Sequence, residues 1–211
     1  MGGKRNAALF SPGRAERRGK RGGKTVSIAR IVLGGEGGQG VQTIAEILAE
    51  AAYRSGLEAL YIPNFGVEQR GGVSLAFVQL GDEVVAVPKF RRAQVVVALS
   101  DRAIQRTADY VTRETTFIYE ASAAVDPSFL PREAGRLLPV PAVKLATEHL
   151  HPRVFNVLIL GTVVGVVDMV EETALKAALE GLLGHKFALK PELRELNYRA
   201  LGEGRELALT A

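Results

Sequence analysis

Residues 34–40 read GGEGGQG and follow a short apolar run. Gly35, Gly37 and Gly40 stand at the G-x-G-x-x-G spacing of a dinucleotide-binding turn, with Gly38 and Gln39 between them. Glycines without a Cβ take positive φ and let backbone N–H groups approach a phosphate, and a helix starting there adds its partial positive charge. Three readings of the turn stay open: NAD or FAD, the phosphate or pyrophosphate of another ligand, or a tight turn that holds nothing. The nicotinamide reading also requires a carboxylate at the end of the next strand, to hold the ribose hydroxyls. That strand ends in Ile62-Pro63-Asn64, and Glu58 lies near its beginning.

The second dense segment is PNFGVEQRGG at 63–72. Gln69, Arg70, Gly71 and Gly72 form its polar end, and Arg70 offers a rigid fork of donors suited to a carboxylate or phosphate. It is either a ligand loop beside the first turn or a subunit-contact loop with Arg70 paired to Glu68 or Glu36. Other chemistry-bearing residues lack partners in the sequence. His149 and His151 flank Leu150 before Pro152 and read as capping or solvent-facing, and His185 follows Gly184 in what reads as a turn. Ser100-Asp101 reads as a helix N-cap. Glu120 closes a strand, as a loop carboxylate or a ligand contact. No metal site and no catalytic triad emerge.

These residues need elements to carry them. Residues 27–33 (SIARIVL) predict a buried strand, and Val41, Ile44, Ala45, Leu48, Ala49 and Ala52 fall on one face of a helix that Ser55-Gly56 stops. A second strand over 57–62 completes a βαβ unit of a parallel sheet. Residues 73–80 and 84–87 predict an antiparallel hairpin around Gly81-Asp82-Glu83, so the sheet is mixed. Further strands are predicted at 94–99, 115–119 and, between prolines at the sheet margin, 136–140, with a helix at 101–110. Helices are expected at 142–150, 153–167, 171–183 and 191–201. Gly161 and Gly165, four apart, would let another element approach closely. The expected fold is α/β: a three-layer Rossmann-like domain with a mixed, mostly parallel sheet and a helical C-terminal third.

Composition narrows the function classes. The 211 residues include 27 Lys or Arg and 23 Asp or Glu, for a formal charge of +4. Eight of the basic side chains and only Glu16 among the acids fall in residues 1–24, a local +7, and the remainder is −3. Residues 1–24 read as a disordered basic tail and 25–211 as one domain. Nucleic-acid binding is not expected, because the folded part is net negative and has no interleaved basic and aromatic stripe. No apolar run is long enough for a membrane span, and a cytoplasmic location is expected. With no cysteine, the chain offers neither disulfide nor thiolate for a nucleophile or an iron–sulfur cluster.

Taken together, 34–41 (GGEGGQGV), 65–72 (FGVEQRGG) and 73–90 (VSLAFVQLGDEVVAVPKF) resemble the gamma subunit of the 2-oxoacid:ferredoxin oxidoreductases, which also occurs as a domain of single-chain enzymes. The likeness continues through 94–100, 155–161 (FNVLILG) and 195–201 (ELNYRAL), covering about residues 27–204. Departures are Gln94, where the family often has Asp, and Asn64-Phe65-Gly66, where many members have Ser-Tyr-Gly.

The resemblance implies a subunit of an enzyme that oxidatively decarboxylates a 2-oxoacid, joins the acyl group to coenzyme A and passes electrons to ferredoxin. It places thiamine diphosphate, magnesium and the iron–sulfur clusters in alpha and beta partner subunits and a ferredoxin-like delta subunit, with this chain packing on them and contacting coenzyme A. Gly35, Gly37, Gly38, Gln39, Gly40, Gln69, Arg70, Gly71 and Gly72 are the candidate binding residues. The alternative is a free-standing NAD- or FAD-binding oxidoreductase.

Overall fold

The computed structural model describes residues 8–10, 28–64, 72–83, 89–122 and 124–210. Seven strands form one sheet: β1 Ala8–Phe10, β2 Ile28–Gly35, β3 Glu58–Asn64, β4 Ser74–Gly81, β5 Val95–Ala98, β6 Thr116–Glu120 and β7 Arg136–Val140. Their spatial order is β1-β3-β4-β2-β5-β6-β7. The ladders β2·β5, β5·β6 and β6·β7 are parallel, while β4 runs antiparallel to both β2 and β3, and β1 antiparallel to β3. Five strands therefore point one way and β1 and β4 the other, as expected of a mixed, mostly parallel sheet.

The βαβ unit is present, with another strand inserted in it. Its two strands are parallel but not neighbours, because β4 lies between them. The reason lies in β4 itself: Leu75, Ala76, Val78 and Leu80 are all at most 2% exposed, so both of its faces are covered and it takes an interior place. The expected companion strand at 84–87 lies outside the described residues.

Helix α1 (Val41–Arg54) crosses from β2 to β3. It ends at Ser55 with Gly56 at φ +86°, the Leu57 N–H bonding to the Ala52 carbonyl and the Gly56 N–H to that of Tyr53. That pairing satisfies carbonyls the helix end would otherwise orphan. Ile31 and Leu33 of β2 face α1, α4 (Phe155–Val167) and α5 (Glu172–Leu189) in the main core. Val32, Val96 and Phe117 face the other side, under α2 (Asp101–Thr107) and Phe77, whose ring meets Phe90 and Tyr110 edge-on at 5.7 and 5.4 Å. Three layers result, the second helical layer being much the thinner.

The C-terminal third comprises α3 (Ala142–His149), α4, α5 and α6 (Glu192–Thr210). Two of these outrun the sequence expectation. Helix α5 passes through Gly184 and His185, which therefore lie in a helix and not a turn. Burial of Phe187 at 1% exposure outweighs the roughly 1 kcal/mol helix penalty of one glycine. Helix α6 runs beyond residue 201 because Gly204 serves packing.

A Cβ on Gly161 would overlap the Leu201 carbonyl oxygen, one on Gly204 would overlap that of Leu158, and one on Gly165 would stand 2.6 Å from the Ala208 Cβ. Helices α4 and α6 thus touch backbone to backbone. Glu180 joins α5 to α6 as well. It accepts from Arg194 Nε at 2.6 Å, Arg194 Nη2 at 3.2 Å and the Tyr198 hydroxyl at 2.7 Å. Its carboxyl is held below the ordinary carboxylate range by the Arg194 hydrogen bond first and the Tyr198 hydroxyl second.

The segment expected to lack structure contains one element. Residues 8–10 form β1, in register Ala8 with Tyr61 through Phe10 with Ala59. The open edge of β3 presents backbone groups that need partners, and a short apolar stretch supplies them. Among the described residues, no helix is long and apolar enough to cross a membrane.

Gly204→Ala should destabilise the fold by about 1–3 kcal/mol through overpacking, read as a lowered urea midpoint. Gly202→Ala, two residues away with nothing within 4 Å of the added methyl, should be neutral or stabilising by up to about 1 kcal/mol. Equal effects would deny the close α4–α6 contact. A depressed carboxyl pKa gives stability that is complete above the ordinary carboxylate range and is lost as pH falls through the depressed value. The Tm deficit of Glu180→Gln should therefore be largest near neutral pH and shrink on acidification below that range.

Candidate functional site

Strand β2 ends at Gly35 and α1 begins at Val41, so the glycine turn stands at the carboxyl edge of the parallel strands, where open α/β sheets place ligands. The turn is closed from within. Gln39 Oε1 accepts the Glu36 N–H at 2.7 Å, Gln39 Nε2 donates to the Leu99 carbonyl at 2.8 Å, and the Gln39 N–H donates to the Glu36 carbonyl at 3.2 Å. The Leu99 N–H in turn donates to the Gly34 carbonyl at 3.0 Å. Gln39 therefore works as the strut that fixes the turn to the end of β5, with both ends of its amide engaged.

The glycines divide into two pairs. A Cβ on Gly35 would stand 2.7 Å from Val41 Cγ2 and 2.8 Å from Gln39 Oε1, and one on Gly40, where φ is +75°, would stand 2.8 Å from Asn156 Nδ2. These two are glycine for lack of room. Gly37 and Gly38 have nothing within 4 Å of a Cβ position, and both are exposed. They are where the turn opens to solvent. Behind them α1 starts without a capping side chain and with no acidic residue in its first turn. Its first amides and partial positive charge thus face the same space.

Gln69, Arg70 and Gly71 lie outside the described residues, while Gly72 is half-buried just before β4. Register locates the ends of their connection. Asn64 pairs with Leu75, and Ser74 pairs with Gly35, so the 65–73 segment leaves and rejoins the sheet beside the glycine turn. Gln42, which sequence reasoning missed, ties these parts together. Its Nε2 donates to Ser74 Oγ at 2.6 Å and to the Leu75 carbonyl at 2.9 Å, and its Oε1 accepts the Tyr61 hydroxyl at 2.6 Å. The adjacent glycines pointed to a ligand, but nothing in the sequence alone showed that this first-turn amide bridges to β4.

The remaining candidates are occupied elsewhere. Glu120 accepts the N–H of Ser122 and, at 3.1 Å, that of Val143, capping α3. Ser100 Oγ accepts the Ala103 N–H at 3.2 Å and caps α2. His151 Nδ1 accepts the Arg153 N–H at 3.1 Å. The strand β3 carries Glu58 at its start and Asn64 at its end, so among the described residues no carboxylate stands at the ribose position of a nicotinamide site.

Next to the turn lies a cavity of about 360 Å³ between the first turn of α1 and the ends of α4, α5 and α6. Thr43, Arg153, Asn156, Lys186, Lys190 and Asn197 supply its polar lining. None of these was singled out from sequence, because they come from stretches far apart in the chain.

Comparison with known proteins gives this edge its context. The pyruvate ferredoxin/flavodoxin oxidoreductase family model matches residues 30–207, leaving the basic residues 1–24 outside. The ketoisovalerate oxidoreductase subunit VorA of Methanothermobacter thermautotrophicus is 33% identical over 85% of this chain, which spans 36% of that relative. The chain thus spans only about a third of that longer protein. The pyruvate/ketoisovalerate oxidoreductases common subunit gamma of Pyrococcus abyssi is 33% identical over 73% of this chain and 88% of its own length. Among solved structures, 2-oxoglutarate:ferredoxin oxidoreductase from Magnetococcus marinus, with 2-oxoglutarate, coenzyme A and succinyl-CoA bound, superposes with a TM-score of 0.78 at 25% identity. That match covers 87% of this chain and 31% of the other. A family match over most of the chain, a similar subunit of comparable length and a shared fold agree: this protein belongs to the pyruvate ferredoxin/flavodoxin oxidoreductase family.

Proposed function

We propose that this chain is the gamma subunit of a multisubunit 2-oxoacid:ferredoxin oxidoreductase and that its carboxyl edge receives coenzyme A. The observation that carries the reading is the open pair Gly37 and Gly38 in front of the uncapped start of α1. Such an arrangement suits a phosphate-bearing ligand approached by backbone N–H groups. The coenzyme A and succinyl-CoA in the similar Magnetococcus enzyme support that ligand class. Gln69, Arg70, Gly71 and Gly72, on the connection that returns to Ser74 beside Gly35, are proposed as its second wall.

The chain supplies no thiolate, so cluster ligation falls to partner chains. Alpha and beta subunits with thiamine diphosphate and magnesium, and a ferredoxin-like delta subunit, are the proposed partners. The isolated chain is inactive in this reading. A free-standing NAD or FAD enzyme is disfavoured by Asn64 where a ribose-binding carboxylate belongs.

Purification of the tagged chain from its native host should bring down chains carrying thiamine diphosphate and iron–sulfur absorbance. An isolated chain with bound NAD or FAD and its own turnover would overturn the proposal. Within the assembled enzyme, Gly37→Asp puts bulk and negative charge into the ligand space without steric conflict in the fold. It should raise the KM for coenzyme A about tenfold, or about 1.4 kcal/mol, at unchanged Tm and cluster content. Arg70→Ala should raise the same KM or weaken assembly. Gln39→Leu should lower stability by about 1–3 kcal/mol by leaving the Leu99 carbonyl and the Glu36 N–H unpaired. A Gln39→Leu enzyme as stable as wild type would mean that the strut is dispensable.

A further inference from the structure

Two amide side chains hold the glycine turn, and they differ in reach. Gln39 closes the turn onto backbone groups of its own loop and of the chain just after β5. Gln42, past Gly40 in the first turn of α1, extends instead across the carboxyl edge. Its Nε2 donates to Ser74 Oγ at 2.6 Å and to the Leu75 carbonyl at 2.9 Å, and its Oε1 accepts the Tyr61 hydroxyl at 2.6 Å. Both N–H donors and the acceptor oxygen of the amide are thereby engaged.

The partners stand near the ends of strands. Ser74 is the first residue of β4 and pairs with Gly35, the last of β2, while Tyr61 lies on β3 shortly before that strand ends at Asn64. One side chain thus joins the chain leaving the turn to the strand that enters the 65–73 connection and to the strand that follows it. Its helix neighbours Val41 and Ile44 are buried by apolar packing, at 3% and 1% exposure. Apolar contact is non-directional, so it presses α1 on the sheet without fixing its height or rotation. Hydrogen bonds weaken steeply with angle and fix both. Gln42 and Ser74 are only half-buried, so water can take over their bonds if the side chain is lost, and the fold survives.

We infer that Gln42 is a positioning residue for the reaction at this edge. It touches no reacting atom. Acting through Ser74 and Tyr61, it sets the separation between the open glycines Gly37 and Gly38 and the ends of β3 and β4, the two sides between which a ligand has to fit. A misplacement on the order of 1 Å between the sides of such a site is enough to impair it. The inference deepens the reading that this edge receives coenzyme A and rests on it.

Steady-state kinetics of the assembled enzyme with coenzyme A varied, together with amide hydrogen exchange, test the role in Gln42→Met, Ser74→Ala and the double variant. Methionine keeps the length and the unbranched stem and removes every hydrogen bond of the amide. Gln42→Met should raise the KM for coenzyme A about fivefold, the equivalent of one lost hydrogen bond, with kcat unchanged. Ser74→Ala should raise it less. The double variant should be no worse than Gln42→Met, because the Ser74 hydroxyl has by then lost its partner. Exchange should quicken in the first turn of α1 and at Gly72 through Leu75 and stay unchanged in β5 and β6. A KM that Gln42→Met leaves unmoved overturns the inference, and so do fully additive effects in the double variant. A lowered Tm with exchange quickened throughout the chain and KM unmoved would make Gln42 a stabilising residue only. The glycine-turn reading fails separately: a KM raised by Gln42→Met and unmoved by Gly37→Asp takes the ligand off the open glycines and keeps Gln42, whereas the reverse removes Gln42 and keeps the turn.

Discussion

Helix α4 is apolar around its whole circumference, with Val157 through Val164 buried, and so has to be covered on every side. The sheet, α1 and α3 cover part of it, and α6 makes the most extensive contact. Because Gly161, Gly165 and Gly204 remove the side chains that would hold the helices apart, the α6 backbone lies directly against it. The contact fixes where α4 begins. That start places Asn156 against Gly40 and sets one wall of the cavity, so the geometry of the carboxyl edge depends on a packing interaction one helix length away.

The same edge is rigid for a second reason. The glycine turn is braced by Gln39 to β5 and, through Gln42, to β4 and Tyr61 of β3. Glycine-rich loops owe their shape to the partners of their backbone, and here two amide side chains three positions apart, Gln39 and Gln42, hold the turn and the helix start after it. Only Gly37 and Gly38 are left without neighbours. The turn thus separates residues that shape it from residues that face outward.

Much of this was legible from residue pattern. The β2 run, the 3.6-residue spacing of α1 and the glycine spacing located the turn, and short runs rich in β-branched and apolar residues located β5, β6 and β7. The order of strands was not legible. The pattern of residues does not tell that β4 lies between β2 and β3, whereas its two-sided burial in the fold does. Gln39 read as a ligand residue because its type and position suit one, while its actual partner, the Leu99 carbonyl, is 60 positions away. The cavity was invisible for the same reason, being assembled from α1, α4, α5 and α6. The helices expected to end at 183 and 201 run further because propensity is local and the packing that overrides it is not.

The two margins of the sheet carry a consequence for assembly. On one side β1 occupies the hydrogen-bonding edge of β3. On the other, β7 bonds to β6 through the Arg136 N–H, so by strand alternation the position of Pro139 is turned outward, and proline has no N–H to offer. An added strand along β7 would therefore find no N–H at Pro139, which makes that margin a poor template for another chain and turns attention for assembly to the helices and loops.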